Sequence, residues 1–412
     1  MDARRPWAID RAIDIPHASQ TEPPQTEDEP MTTKRILLIA TGGTIASAEE
    51  GRGLSPALTG QDLVRAVPEL DGLCDIDIVQ PMNIDSTNMR PADWLRIRDA
   101  LLDGYADHDG FVILHGTDTM AYTAAALSYL VPGSAKPIVL TGSQRPMGAS
   151  FTDAKLNLYQ SLLVAVDDRA RDVMIVFGGK VIAGTRARKQ RTQSANAFTS
   201  VNYPLLARLY TDRIVWGAEM GSEGVSRAGG TAGAAMAAAP TAPMADDAGL
   251  DALRGMGLNE RVCTLKLTPG LTPQVFDLLA PAYDAVILET FGMGGVPETV
   301  WPASAAGTPN GALGSGLLTF ERAIFDWVDA GRTVVMTTQV PEEGLDLGIY
   351  EVGRAYADHP GILKGADMTT EALVAKTMWA LGRAHDADEL ARLFYAPINH
   401  DRSMCNSGTG ST

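Results

Sequence analysis

Lys34 to Ser47 reads KRILLIATGGTIAS, and this stretch decides the fold. Two cations lead into an apolar run, Ile36 to Ala40, which breaks abruptly into Thr41-Gly42-Gly43-Thr44. An apolar run of that length stopped by two glycines predicts a buried strand that delivers its next residues onto a tight turn. Ligands of open parallel sheets bind in the crevice beyond the strand carboxyl ends, so Thr44 is expected to hold its hydroxyl at that rim.

The same grammar recurs along the chain. Cys74 to Val79 runs through Pro81 and Met82 into Asp85-Ser86-Thr87, and Phe111 to Leu114 runs into His115-Gly116-Thr117-Asp118. Ile138 to Leu140 leads to Thr141-Gly142-Ser143, and Met174 to Phe177 to Gly178-Gly179. Between these segments Arg90 to Gly104, Met120 to Val131 and Asp153 to Val166 have helical character. Short apolar strands alternating with helices predict a right-handed parallel α/β sheet. Its ligand edge would be rich in hydroxyls, carry one carboxylate and be nearly free of histidine.

With 412 residues and 45% hydrophobic content, the chain can bury two cores. A net charge of −16 argues against nucleic acid or an anionic membrane as a main partner. Cys74, Cys263 and Cys405 are far apart, form no CxxC pair and suggest no disulfide framework, which fits a reducing cytoplasm. No segment approaches the roughly twenty apolar residues of a membrane span, and the N-terminus lacks the apolar core of a secretory signal.

Residues 1–33 are expected to be a disordered leader, with seven acidic and three basic side chains in the first thirty positions. Met31 offers an alternative start. Residues 34–213 would form the larger N-terminal α/β domain, in which Ala46 to Gly60 reads as a long mobile loop placed to act as a lid. Residues 214–260 read as an inter-domain linker, because Gly217 to Gly257 is dominated by Gly, Ala, Ser and Met. A smaller C-terminal α/β domain is expected over residues 261–400. Its strands would be Val262 to Leu267, Tyr283 to Glu289 and Thr333 to Thr337, and its helices Pro273 to Leu279, Gly316 to Ala330 and Thr370 to Arg383. Residues 401–412 read as a flexible tail.

Several catalytic signatures are missing from the sequence. The six histidines, His17, His108, His115, His359, His385 and His400, include no HExxH or other close pair, so no metal site is expected. There is no GxSxG elbow and no GxxxxGK[ST] loop. Gly292-Met293-Gly294-Gly295-Val296-Pro297 follows a strand, but Pro297 replaces the third glycine of a dinucleotide fingerprint. Threonine chemistry remains. A neutral threonine hydroxyl needs a neighbouring base to become a nucleophile. The candidates are Lys189, Asp118, or a tyrosine or carboxylate brought in by a loop. Arg186, Arg188 and Arg191 flank Lys189 in sequence, and crowding by cations would favour a neutral amine there. His115 reads as a structural histidine.

TGGTIAS at Thr41 to Ser47 and GFVILHGTDTMAYTAAALS at Gly110 to Ser128 resemble the two signature motifs of the L-asparaginase family, the type I cytoplasmic branch in particular. Asp85-Ser86-Thr87-Asn88-Met89, TGSQRP from Thr141, GTRARK from Gly184 and GADMT from Gly365 extend the similarity, which covers roughly Lys34 to Leu381. The resemblance implies a nucleophilic Thr44 and a second triad of Thr117, Asp118 and Lys189. It implies that Ser86, next to Thr87, holds a substrate carboxylate, while Asp118 pairs with the substrate ammonium. The implied reaction is cofactor-free deamidation of L-asparagine to L-aspartate and ammonia through a β-acyl-enzyme, in a homodimer or homotetramer.

Two positions depart from the family pattern. The lid tyrosine of a Gly-Tyr-x-Pro segment is Leu54 in Gly53-Leu54-Ser55-Pro56, and Tyr350, in Tyr350-Glu351-Val352-Gly353, is the expected replacement. Met293 stands where many members place an asparagine, which leaves the preference between asparagine and glutamine open. Besides an asparagine hydrolase, an amidotransferase-type ammonia-releasing subunit and a non-catalytic amino-acid sensor fit these residues. The first of these alternatives would favour an extra N-terminal domain, for which thirty leader residues are too few.

Overall fold

A computed structural model describes residues 33–49, 54–56, 58–217, 247–302, 317–348 and 351–403. β1 (Arg35–Ala40) lies inside an eight-stranded sheet, flanked in parallel by β4 (Asp75–Val79) and β5 (Gly110–Leu114). Between β1 and β4, a short hairpin of β2 (Ser47–Glu49) and β3 (Leu54–Pro56) occupies the expected lid loop. The Leu58 amide also donates to the Ala46 carbonyl at 2.8 Å, so the ends of that loop are tied together. β6 (Pro137–Thr141) and β7 (Asp172–Phe177) extend the parallel run.

The sheet then departs from the parallel arrangement expected. Gly178 and Gly179 both take left-handed φ, 57° and 74°, and turn β7 straight back into antiparallel β8 (Lys180–Ala183). A two-residue glycine loop favours such a hairpin, because no side chain resists positive φ. After a separate hairpin of β9 (Ala187–Lys189) and β10 (Phe198–Ser200), β11 (Ala207–Tyr210) and β12 (Arg213–Trp216) complete an antiparallel edge. The order is β12-β11-β8-β7-β6-β5-β1-β4.

The strands read as unbroken apolar runs because both faces are covered. Ile36, Leu38 and Ala40 of β1 join Val112, Leu114 and Val139 on one face, beneath Leu158 and Leu162 of α4 (Ala154–Ala165). Leu37 and Ile39 join Phe111, Ile113 and Ile138 on the other, beneath α2 (Pro91–Asp103) and α3 (Met120–Leu130). α1 (Gly60–Arg65) opens on Thr59, whose hydroxyl accepts from the Asp62 amide in a capping box.

The smaller lobe is a four-stranded parallel sheet, ordered β13 (Val262–Lys266), β14 (Ala285–Thr290), β17 (Thr333–Thr338) and β18 (Ile362–Lys364). β15 (Trp301–Pro302) and β16 (Leu317–Leu318) form a separate pair. Phe276, Phe320, Ile324 and Trp327 cover one face of the sheet. The other face, with Ala285, Ile287 and Val335, shares a continuous core with the larger lobe. In that core the helix Thr370–Leu381 lies against α3, and Tyr129 and Trp379 stack obliquely 5.9 Å apart.

Three expected boundaries move. Ile214 to Trp216, assigned to the linker, belong to β12, where antiparallel backbone pairing holds them to β11. Asp247–Arg254 forms a helix anchored by Arg254 to Asp103 of α2 at 2.6 Å. The tail expected from residue 401 is fixed through Ser403: Asp401 is fully buried, and Ser403 Oγ donates to Asp367 at 2.6 Å. Residues 1–32 of the leader, 218–246 of the insertion and 404–412 of the tail lie outside the described residues.

Candidate active site

Three turns converge at the carboxyl ends of β1, β4 and β5, where the strand order reverses, the place at which open α/β sheets bind their ligands. Pairing continues past the strands: the Gly43 amide donates to the Ile84 carbonyl at 3.0 Å and the Ile84 amide to the Thr41 carbonyl at 2.9 Å. This sets Ser86 two residues beyond the register of Gly42 and Gly43. Gly43 takes φ 82°, and a Cβ there would overlap the backbone of Gly116. A Cβ on Gly116 would in turn lie 2.5 Å from Ser86 Oγ. Both positions need glycine because three backbones meet. Thr44, Ser86 and Thr117 therefore leave adjacent points of the same sheet edge.

Thr44 is partly exposed at the start of a 3₁₀ turn, Thr44–Ala46. Its hydroxyl has no hydrogen-bond partner among the described residues, whereas the turn itself is held on both sides. Ser47 Oγ donates to the Gly43 carbonyl at 3.0 Å, and the Met147 amide donates to the Ile45 carbonyl at 3.2 Å. The loop that supplies Met147 is organised by Asp153, whose carboxylate accepts from the amides of Gln144 and Arg145 at 2.9 and 3.0 Å.

Thr117 is buried, and its hydroxyl accepts from Lys189 Nζ at 2.8 Å. The same ammonium pairs with Asp118 Oδ1 at 2.5 Å, with the lysine side chain 16% and the aspartate side chain 55% exposed. Lys189 reaches this point from β9, whose partner residue Phe198 is buried against Phe177. Asp118 is not the helix cap. That position belongs to Thr119, whose hydroxyl instead donates to the Ser86 carbonyl at 2.8 Å and ties the β4 turn to the β5 turn. From sequence, Thr119 suggests only a cap. Its partner is 33 residues away, so nothing local signals the contact.

The remaining expectations divide. Ser86 is buried beside Gly116. Thr87 is exposed, and its amide and hydroxyl both donate to Asp85 Oδ1 at 2.8 Å, so its hydroxyl proton is committed to a local turn. The cations around Lys189 disperse. Arg186 is fully buried and pairs with Asp367, Arg191 reaches the Asn196 carbonyl, and the charge nearest Lys189 is the Asp118 carboxylate. The cationic crowding expected to activate that lysine is thus replaced by an ion pair. His115 is sealed in the core, where its two nitrogens meet the Gly116 carbonyl and the Thr123 hydroxyl at 2.7 and 2.9 Å. Burial pushes its imidazole down to about 4. The carbonyl can only accept, so Nδ1 carries the proton and Nε2 accepts. Met293 lies on an exposed turn, and Tyr350 lies outside the described residues.

Comparison with known proteins covers both lobes. A family model described as "Asparaginase, N-terminal" matches residues 35–220, and one described as "Glutaminase/Asparaginase C-terminal domain" matches residues 261–394. The chain is 34% identical over 379 residues to an L-asparaginase of Thermococcus kodakarensis, covering 92% of this chain and 100% of that protein. It is 31% identical over 369 residues to a glutamyl-tRNA(Gln) amidotransferase subunit of Pyrococcus furiosus, covering 87% and 74% respectively. Among solved structures, the thermostable L-asparaginase from Thermococcus kodakarensis aligns with a TM-score of 0.73 at 32% identity, over 90% of this chain and 99% of that one. L-asparaginase I from Vibrio cholerae aligns at 0.70 and 26% identity, over 90% and 100%.

Proposed function

The chain belongs to the asparaginase family, and we propose that it hydrolyses L-asparagine to L-aspartate and ammonia, with Thr44 as nucleophile. The observation that carries this reading is Lys189 Nζ 2.8 Å from Thr117 Oγ1, beside Asp118 and across converging glycines from Thr44. An ammonium has donors only, so Thr117 must accept from Lys189 and keeps its own proton free to face the crevice.

The substrate is a zwitterion with a neutral amide. Asp118, half-exposed and with one oxygen on Lys189, offers its carboxylate to the α-ammonium, and Ser86 offers a hydroxyl to the α-carboxylate. Thr44 Oγ bonds to the amide carbon as its proton passes to the Tyr350 phenol oxygen, and we assign Tyr350 as a relay whose own proton moves on towards the amide nitrogen. Negative charge gathers on the carbonyl oxygen, where turn N–H groups stabilise it. Collapse breaks the C–N bond, the proton relayed from Thr44 reaches the departing nitrogen under the direction of Thr117, and ammonia leaves a β-acyl-Thr44 ester. Water attacks that ester to release L-aspartate and restore the hydroxyl. No cofactor takes part in this scheme.

The amidotransferase relative supports a second reading, in which the ammonia passes to a partner enzyme. We favour the free hydrolase because the L-asparaginase relative is matched along its full length, and we place it in the cytoplasm as a homodimer or homotetramer. Among the described residues no helix is long and apolar enough to cross a membrane. A coupled ammonia assay on L-asparagine, D-asparagine and L-glutamine tests the choice. Turnover strongly favouring L-asparagine supports the hydrolase, and turnover confined to L-glutamine supports the second reading.

A further inference from the structure

The segment that closes the described chain is bound far more tightly than a terminus needs. Asn399 and His400 both take left-handed φ, 44° and 63°, although neither is glycine. Such a pair persists only where its surroundings over-determine it. The surroundings are specific. Asn399 Nδ2 donates to Ser128 Oγ and to the Val173 carbonyl, both at 2.8 Å, and the Asn399 carbonyl accepts from Thr185 Oγ1 at 2.5 Å. The His400 carbonyl accepts from Arg186 Nε, and its ring stacks on Tyr203. Asp401, fully buried, accepts from Tyr129 Oη at 3.1 Å and pairs with Lys376.

These contacts fall on two elements that matter. Ser128 and Tyr129 lie on α3, which begins just after Thr117 and Asp118, whereas Thr185 and Arg186 form the turn that enters β9 and ends at Lys189. The turn itself leaves no slack: a Cβ on Gly184 would lie 2.8 Å from Ser128 Oγ. Asn399 therefore bridges the helix that follows two members of the triad and the turn that delivers the third.

We propose that Asn399, seated by the left-handed turn at Asn399-His400, is a positioning residue that fixes Lys189 at hydrogen-bond distance from Thr117. The inference rests on the triad role given to Lys189 above. Misplacing a catalytic contact by about 1 Å costs on the order of a hundredfold in rate.

The test is Asn399→Gly, which deletes the amide but keeps the positive φ open. Its kcat on L-asparagine is expected to fall about tenfold to a hundredfold, with KM held within about twofold. In a Lys189→Ala background the same change is expected to cost under about twofold, because the contact it protects is already gone. Lys189→Arg replaces that background should Lys189→Ala fall below detection, and Ser128→Ala replaces Asn399→Gly should that variant not fold. An equal loss with and without Lys189, or a loss confined to melting temperature, overturns the inference. An unmodified protein that releases no ammonia from any amide overturns the hydrolase reading instead, so the two failures are distinct.

Discussion

Among the described residues the combination of lysine, aspartate and hydroxyl occurs twice. Lys189, Asp118 and Thr117 meet at the rim of the larger sheet, with the aspartate side chain 55% exposed. Lys376, Asp401 and Tyr129 meet in the core between the lobes, with lysine and aspartate both fully buried. The difference lies in access. In the core, burial pushes the Lys376 ammonium down to about 8, against the pull of Asp401, and the ammonium donates to Asp401 and the Ala396 carbonyl while Tyr129 donates to Asp401. At the rim the lysine still has a threonine that keeps a proton to give, and an aspartate with a free side towards solvent. The same side chains thus hold lobes together in one place and can handle a substrate in the other.

If that contrast is right, removing each lysine should have opposite signatures. Lys189→Ala should lower kcat by about 10² to 10⁴-fold, while a partly exposed pair of this kind contributes under about 1 kcal/mol to stability. Steady-state kinetics beside urea unfolding reads both, and a large fall in stability with normal turnover would invert the assignment. Lys376→Met should instead destabilise by about 3–5 kcal/mol, because Asp401 would be left charged and unpaired in the core. Unchanged unfolding would show that the sealed trio bears no structural weight.

His115 sharpens the comparison from inside the rim, as a buried neutral ring two residues before Thr117. The unfolded chain binds its proton near pH 6.5 and the folded chain only near 4. Stability is therefore intact above the unfolded value and falls as pH drops through that window, by about 3 kcal/mol in all. His115→Gln should lose this component, measured as unfolding free energy against pH; identical slopes in both proteins would refute it. The smallest effect concerns the proton acceptor for Thr44. Tyr350→Phe should lower kcat about tenfold or more and Leu54→Ala by less, and equal small changes would remove Tyr350 from the scheme.

The parts of this molecule legible in its sequence are those whose causes are local. Apolar runs ending in glycine mark β1, β5 and β6 because a doubly covered strand has no polar face to hide its period. Thr44, Ser86 and Thr117 lie at their expected turns because the glycines between them have nowhere to put a side chain. The antiparallel edge from β8 to β12 escapes a sequence reading because its strands are short, and only the Gly178-Gly179 hairpin signals the change of direction. Long-range partners are not legible at all. Nothing near Asp401 announces a tyrosine 272 positions earlier, so a fixed segment reads as a flexible tail. Arg186 likewise reads as part of a basic cluster, although its charge is answered by Asp367, 181 residues away.

The claim underlying all of this is that the two threonine hydroxyls at residues 44 and 117 split an amide together. It is tested most directly by ammonia release from L-asparagine by the unmodified protein, Thr44→Ala and Thr117→Ala, each confirmed as folded. The expected result is sustained release by the first and a loss on the order of 10³-fold or more in both variants. Undiminished release by either variant, or none from the folded unmodified protein, would contradict it.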